Sequence, residues 1–343
     1  MSKLRATTFL VGAFILLAVG ARAQEKAPLE LVQSIPLPGL KDGDFDHFAV
    51  NLHDNRLFLV GEDNALVEVF DLRASKLIHT ISDFKAPHSM VDRDDVKKLF
   101  IVDGGTGEVK IYDSASYQLT GSVKLKEDAD SMVYDPSTHY MYVVNGGKDA
   151  HLPYTFISVV DTTAGKNLAD IKIDADAVEA LALEKSGPRL FANVTGKDEV
   201  AVIDRQKRTV ISTWPTGQVA KHLLAMAFDE ANHRLFVTTR QPGRVIVLDS
   251  DSGKVVTSLP CVADNDDMAY DSGNKRIYVS ASGFIDVFRQ QNADHYELIS
   301  HFPSAFRART AILIPEMNRY YLGVPRHAGK EKEAAVRIYK VLP

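Results

Sequence analysis

The chain has 343 residues, 25% of them charged, with a formal net charge of −5 and a single cysteine, Cys261. One cysteine excludes an intrachain disulfide, a thiolate metal cluster and a Cys-x-x-Cys-His haem attachment. The acidic balance argues against a generic binder of phosphate backbones, so no nucleic acid is expected.

At the N-terminus, Lys3 and Arg5 precede an apolar stretch over residues 9–19, and Ala21-Arg22-Ala23 offers a small-x-small cleavage site before Gln24. This is the pattern of a secretory leader, and the stretch is short for a bilayer span. The expectation is a removable signal peptide over residues 1–23, no membrane span, a periplasmic or secreted product, and one domain over residues 24–343. No cysteine lies near Ala23 to carry a lipid anchor. Cleavage removes Lys3, Arg5 and Arg22 and no acid, which takes the formal charge from −5 to −8.

From residue 46 onward a strand pattern recurs seven times. Its anchors are apolar runs built around an aromatic residue: Leu57-Phe58-Leu59-Val60, Leu99-Phe100-Ile101-Val102, Met141-Tyr142-Val143-Val144, Leu190-Phe191, Leu235-Phe236-Val237, Ile277-Tyr278-Val279 and Tyr320-Tyr321-Leu322. Successive aromatics lie 42, 42, 49, 45, 42 and 43 residues apart. A period in the forties with several strands per unit marks propeller blades rather than helical solenoids. Each unit continues with a run such as Val67-Glu68-Val69-Phe70-Asp71, and Asp113, Asp161, Asp204 and Asp249 close the equivalent runs. The sixth and seventh units end instead on Arg289 and Lys340. These aspartates open tight turns, where a short carboxylate accepts nearby backbone N–H groups, so they are structural rather than catalytic. Six units then supply an outer strand, and the seventh stops at Val341-Leu342-Pro343. Residues 30–36 reproduce the outer-strand pattern, so the N-terminal segment should complete the last blade. The fold expected is all-β: a seven-bladed β-propeller of four-stranded blades, closed by its N-terminal strand.

Met141-Tyr142-Val143-Val144-Asn145-Gly146-Gly147 and Leu235-Phe236-Val237-Thr238-Thr239, each followed by a Val-x-Val-hydrophobic-Asp run, resemble the YVTN-repeat family of bacterial β-propellers. The resemblance covers essentially the whole chain after the leader. It implies an exported or surface protein and carries no catalytic motif with it.

Function is expected at the channel mouth, where the innermost strands begin. Counting back from each anchor run gives one entrance residue per blade: His47, His88, Asp130, Glu179, Leu224, Asp266 and Arg309. Six of these seven are ionisable. The following positions are small (Ser89, Ser131, Ala180, Ala225, Thr310), and the next are apolar (Met90, Met132, Leu181, Met226, Met268). Adjacent loops add Asp44, Asp46, Lys221, His222, Asp267 and Arg307. Two chemistries fit this polar cup. His47, His88, Asp130 and Glu179 offer imidazole and carboxylate donors for a divalent ion such as Zn²⁺ or Mn²⁺, which would suit an ester or lactone hydrolase with His222 moving a proton. Alternatively, Arg309 and Arg307 hold a ligand's carboxylate or phosphate while the carboxylates bind its hydroxyls, giving recognition without chemistry. The first choice is a binding module, a monomer taking a small molecule or a protein at the mouth.

Two insertions, residues 146–154 and 325–333, belong on the same face as the mouth, so His151, Tyr154, Arg326 and His327 are expected as rim contacts. There is no Gly-x-Ser-x-Gly elbow, no His-Glu-x-x-His helix and no Gly-rich phosphate loop.

Overall fold

The computed structural model describes residues 27–343; the expected leader, residues 1–23, lies outside them. Short runs of alternating β-branched and aromatic residues, each punctuated by a turn, fold into seven four-stranded antiparallel sheets. The inner strands are Phe48–Asn51, Pro87–Arg93, Met132–Asp135, Leu181–Leu183, Lys221–Asp229, Asn265–Asp271 and Ala311–Ile314. Each begins within three residues of its expected entrance residue.

Ring closure follows the expected route. The N-terminal strand Leu29–Leu37 pairs antiparallel with the C-terminal strand Ala334–Val341, from Leu29 opposite Val341 to Leu37 opposite Ala334. The first strand of the described chain is therefore the outer strand of the last blade.

The turn aspartates do what their positions require. Asp71 accepts from the Ala74 amide, Asp113 from Ala115 and Ser116, Asp161 from Thr163 and Ala164, Asp204 from Gln206 and Lys207, and Asp249 from Asp251 and Ser252. Bonds to the ionised form favour it, and the Ala74 and Ser116 amides hold Asp71 and Asp113 below the usual carboxylate range.

The core lies between blades rather than within one. Seven apolar clusters occupy the described residues, one at each blade boundary. Phe58, Val60 and Val69 of the first blade, for instance, pack on Leu99, Ile101 and Tyr112 of the second. The anchor aromatics Phe58, Phe100, Phe191, Phe236 and Tyr278 are all completely buried. No blade could bury these faces alone, which makes the ring one cooperative unit.

A second periodic feature was not visible in the residue pattern. In every blade the outer strand slips register against the third strand by one residue, leaving Val32, Ile78, Thr120, Leu168, Ile211, Val256 and Ile299 as the extra residues of seven bulges. A bulge twists an edge away from a flat template, so seven free edges are spoiled for intermolecular pairing.

The closing strand gives a direct test. Leu37 is 1% exposed and Leu31 is 51% exposed on the same strand. Leu37→Ala should lose about 2–5 kcal/mol in urea unfolding, while Leu31→Ala should stay within about 0.5 kcal/mol of wild type.

Candidate functional site

The chain reaches the channel mouth seven times, and each arrival is stitched to the next. The Ser89 hydroxyl donates to the Asp130 carbonyl, Ser131 to that of Glu179, and Thr310 to that of Phe45. Asn193 donates to the Leu224 carbonyl, Asn265 to that of Thr239, and the Ala311 amide to the Asp267 carboxylate. The His47 amide donates to the His88 carbonyl. Three small residues of the second layer, Ser89, Ser131 and Thr310, are thus inter-blade staples, and asparagines, a carboxylate and a backbone amide serve the other boundaries.

The staples enclose a cup of about 410 Å³. All seven entrance residues line it, and Asp267 joins them. Below the ring lies an apolar floor to which Met90, Met132, Met226 and Met268 contribute from equivalent positions. Four of the seven methionines in the chain therefore meet at one layer of the channel. Thioether side chains are unbranched and polarizable, which lets such a floor adapt its shape.

Two lining residues matter more than their sequence context suggested. Asp46 is the hub of the histidines: His88 Nδ1 lies 2.7 Å from Asp46 Oδ2, and His47 Nε2 lies 3.4 Å from Asp46 Oδ1. Each imidazole has a second acid, Asp130 at 3.7 Å for His88 and Asp267 at 3.3 Å for His47. Glu62 was missed altogether. It sits six residues past the residue that opens its blade's second strand, where the other blades place Gly104, Gly146, Thr195, Arg240, Ser282 and Pro325. Only Glu62 and Arg240 are ionisable in that set, and comparing those positions was the signal that could have found it.

Gly104 has a steric role. A Cβ there would lie 2.7 Å from the Ala129 carbonyl oxygen and 2.9 Å from the His88 ring, so only glycine leaves room for the imidazole.

Acids dominate the cup. Six carboxylates (Asp46, Glu62, Asp130, Glu179, Asp266, Asp267) face one guanidinium, Arg309, and two imidazoles. Burial would lower both imidazoles, but the acids outweigh it: His88 is pushed up to about 10, chiefly by Asp130 and Asp46, and His47 is raised well above its ordinary value, chiefly by Asp46 and Asp267. Asp46 remains ionised because the two histidines and Arg309 overcome its burial. Glu62, Asp130, Glu179 and Asp266 lack enough countercharge to offset their burial. Burial together with neighbouring carboxylates raises Glu62 to about 7, Glu179 to about 8 and Asp266 to about 6.

Arg309 does not relieve this shortage for a ligand. It donates to Asp44 at 3.0 Å and Asp264 at 2.9 Å, and its Nε lies 3.9 Å from Asp266. Arg307 shares Asp44. Both guanidiniums expected to hold an anion are already committed to carboxylates.

Metal-ligating groups converge, though not as the sequence grouped them. Asp46, His47 and Asp130 bring donor atoms within 4.8 Å of one another, and so do Asp46, Glu62 and His88. Of the four residues expected to share an ion, His47 and Asp130 fall in one set, His88 in the other and Glu179 in neither. A third set, His53, Asp54 and Asp94, lies on solvent-facing turns where Lys97 already bridges both aspartates.

The remaining candidates lie outside the lining of the cup. His222 donates its backbone amide to Asp198 at 2.8 Å, and burial and Arg240 lower its imidazole. His151 closes a turn onto the Lys148 carbonyl. Tyr154 lies under Lys172 of its blade's outer strand. Arg326 pairs with Asp42 at 3.0 Å, and His327 packs on Phe306. The second insertion is therefore tied to neighbouring loops, the first reaches one through the Lys148 amide on the Asp176 carbonyl at 2.8 Å, and none of their residues forms part of the cup wall.

Comparison with known proteins places the fold and little else. No family model matches the chain. Two curated relatives, each an uncharacterized protein named YncE, from Salmonella typhimurium and Salmonella typhi, are 25% identical over 186 residues, covering 53% of this chain and 47% of theirs. The match spans about half the length of these relatives. Among solved structures, hydrazine synthase of Kuenenia stuttgartiensis is similar with a TM-score of 0.74 at 15% identity, over 87% of this chain and 96% of that one. At that identity the likeness concerns the fold.

Gly104→Ala should displace His88 and destabilise the protein by about 1–3 kcal/mol, as overpacking does, and should shift the His88 ring resonances in NMR spectra. Glu179 makes a pH prediction. Its folded pKa of about 8 exceeds the ordinary 4.5, so the stability it contributes is complete below pH 4.5 and is lost as pH rises to about 8. In urea unfolding, Glu179→Gln should gain on wild type across that window.

Proposed function

We propose that the protein is an exported propeller of the YVTN-repeat kind that binds a small, positively charged ligand in the cup at its channel mouth. One observation carries this reading: six carboxylates line the cup, and its one guanidinium is already spent on Asp44, Asp264 and Asp266. Even with both imidazoles protonated, acids outnumber cations six to three. Carboxylates in that position either share protons or accept a cation, and the raised values of Glu62, Glu179 and Asp266 describe the first state. A bound cation would replace those protons. The apolar floor would receive any hydrocarbon part of the ligand. The export part of the reading rests on the residue pattern around Lys3, Arg5 and Ala21-Arg22-Ala23.

A second reading, a metal-dependent hydrolase or lactonase, is favoured by the two donor sets that share Asp46. Two carboxylates and an imidazole suit Zn²⁺ or Mn²⁺. Such an ion would supply Lewis acidity toward an ester carbonyl. The chain's own part would be to orient it: Asp46 fixes the two histidine rings, and Asp267 holds His47 from its other side.

Protein purified without chelator, assayed by elemental mass spectrometry and by thermal shift with Zn²⁺, Mn²⁺, ethanolamine and putrescine, separates the readings. A ligand at a hundred times its Kd adds about 2.7 kcal/mol. Stabilisation by an amine, reduced in Asp46→Asn, supports the binding reading. Near-stoichiometric metal lost in Asp46→Asn supports the hydrolase reading and calls for an ester and lactone screen. No response to any of the four overturns the cationic-ligand reading.

A further inference from the structure

The inner and third strands of a blade run parallel, so the turns that follow them emerge on the face opposite the cup. There, turns of the third and fourth blades enclose a second cavity of about 390 Å³. Its wall includes Lys185, Arg205 and Arg208, the hydroxyl residues Ser137 and Ser186, and Tyr140. No lining residue is acidic. In a chain with net charge −5, that local composition inverts the global one.

The three cations differ in their commitments. Arg205 is structural: it pairs with the buried Asp135 and donates to the carbonyls of Glu184 (2.8 Å), Gly187 and Pro188 (3.3 Å), clamping the turn that carries Lys185. The same turn is held from the fifth blade, where Glu230 accepts the amides of Lys185 at 2.9 Å and Ser186 at 2.7 Å, together with the Ser186 hydroxyl. Against its burial, the Ser186 hydroxyl and amide, the Lys185 amide and the Lys185 charge together hold the Glu230 carboxyl below its usual range. Neither the Lys185 ammonium nor the Arg208 guanidinium has an ion-pair partner among the described residues. The backbone of Arg208 is nevertheless fixed, with a φ of 58° and its amide on the Asp204 carbonyl at 2.7 Å. The cleft therefore presents two cations outside any ion pair, one of them a planar fork, on anchored turns, while the Ser137 and Ser186 hydroxyls beside them donate to Asp135 and Glu230.

We propose that this cleft binds a phosphate-bearing small molecule. A phosphate ester carries more than one negative charge and three outer acceptor oxygens. It matches an ammonium and a guanidinium that offer several N–H donors between them, where a monoanionic carboxylate would leave donors idle. The Arg208 fork and Lys185 hold the phosphate, and Tyr140 borders the organic part. The site is independent of the cup and does not rest on the cup's function.

Isothermal titration at constant ionic strength, with chloride as the balancing anion, tests it using inorganic phosphate and glucose 6-phosphate. Saturable one-site binding is expected, with the ester tighter than inorganic phosphate. Lys185→Ala/Arg208→Ala should weaken it about tenfold or more, while Asp46→Asn in the cup should leave it unchanged. Both altered side chains are solvent-exposed, and circular dichroism with a thermal melt will confirm that the variant is folded. Absence of saturable binding, or equal binding by the double variant, overturns the proposal; an ester that binds no tighter than inorganic phosphate overturns its organic part.

Discussion

Everything in this molecule depends on one hydrogen-bonded seam, the pairing of Leu29–Leu37 with Ala334–Val341. Seven twisted sheets arranged around an axis bury their faces on one another only if the last meets the first. With no disulfide available to staple the ring, this seam and the seven inter-blade clusters share that task. Once the ring is closed, the inner strands have no freedom to diverge, and seven chain segments must deliver their first side chains to one small volume. The cup is thus a geometric by-product of closure, and its chemistry is whatever the sequence places at those seven points.

What it places there is negative charge in excess. Water would ordinarily screen six carboxylates, but in a concave site walled by protein that screening is reduced, so Glu62, Glu179 and Asp266 hold protons more tightly while Asp46 raises the two histidines. On the opposite face one cleft carries the reverse arrangement, with Lys185 and Arg208 outside any ion pair and no acid in its wall. That face as a whole is mixed, because its turns also carry Asp71, Asp113, Asp161, Asp204 and Asp249. Local charge, not the total, governs which ligands either face attracts.

How much of this was legible in the sequence follows from what each feature depends on. The blade count, the closing strand and the turn role of Asp71 and its equivalents depend on local pattern and period, and they were readable. The seven entrance residues were readable because a repeat carries its register with it, so one alignment of anchors predicts seven positions. Glu62 and the central place of Asp46 were not, because they depend on how the end of a second strand and the loop before an inner strand meet across the blade. The commitments of Arg309 to Asp44 and Asp264 bridge residues more than two hundred apart in one case and 45 apart in the other, which no local pattern encodes. The outer bulges are properties of hydrogen-bond register, and the Lys185–Arg208 cleft forms only when turns of two blades come together.

The stapled second layer has a consequence for how such a protein diversifies. Because Ser89, Ser131, Asn193 and Thr310 grip the ring through main-chain carbonyls, the entrance residues at those boundaries share the job of holding the blades together with a layer beneath them. Leu224 already stands among six ionisable neighbours without breaking the ring. The mouth behaves as a seven-letter word written on a fixed frame, in which letters can be replaced one at a time by mutation. A lineage built on this frame can change what it recognises without having to learn again how to fold.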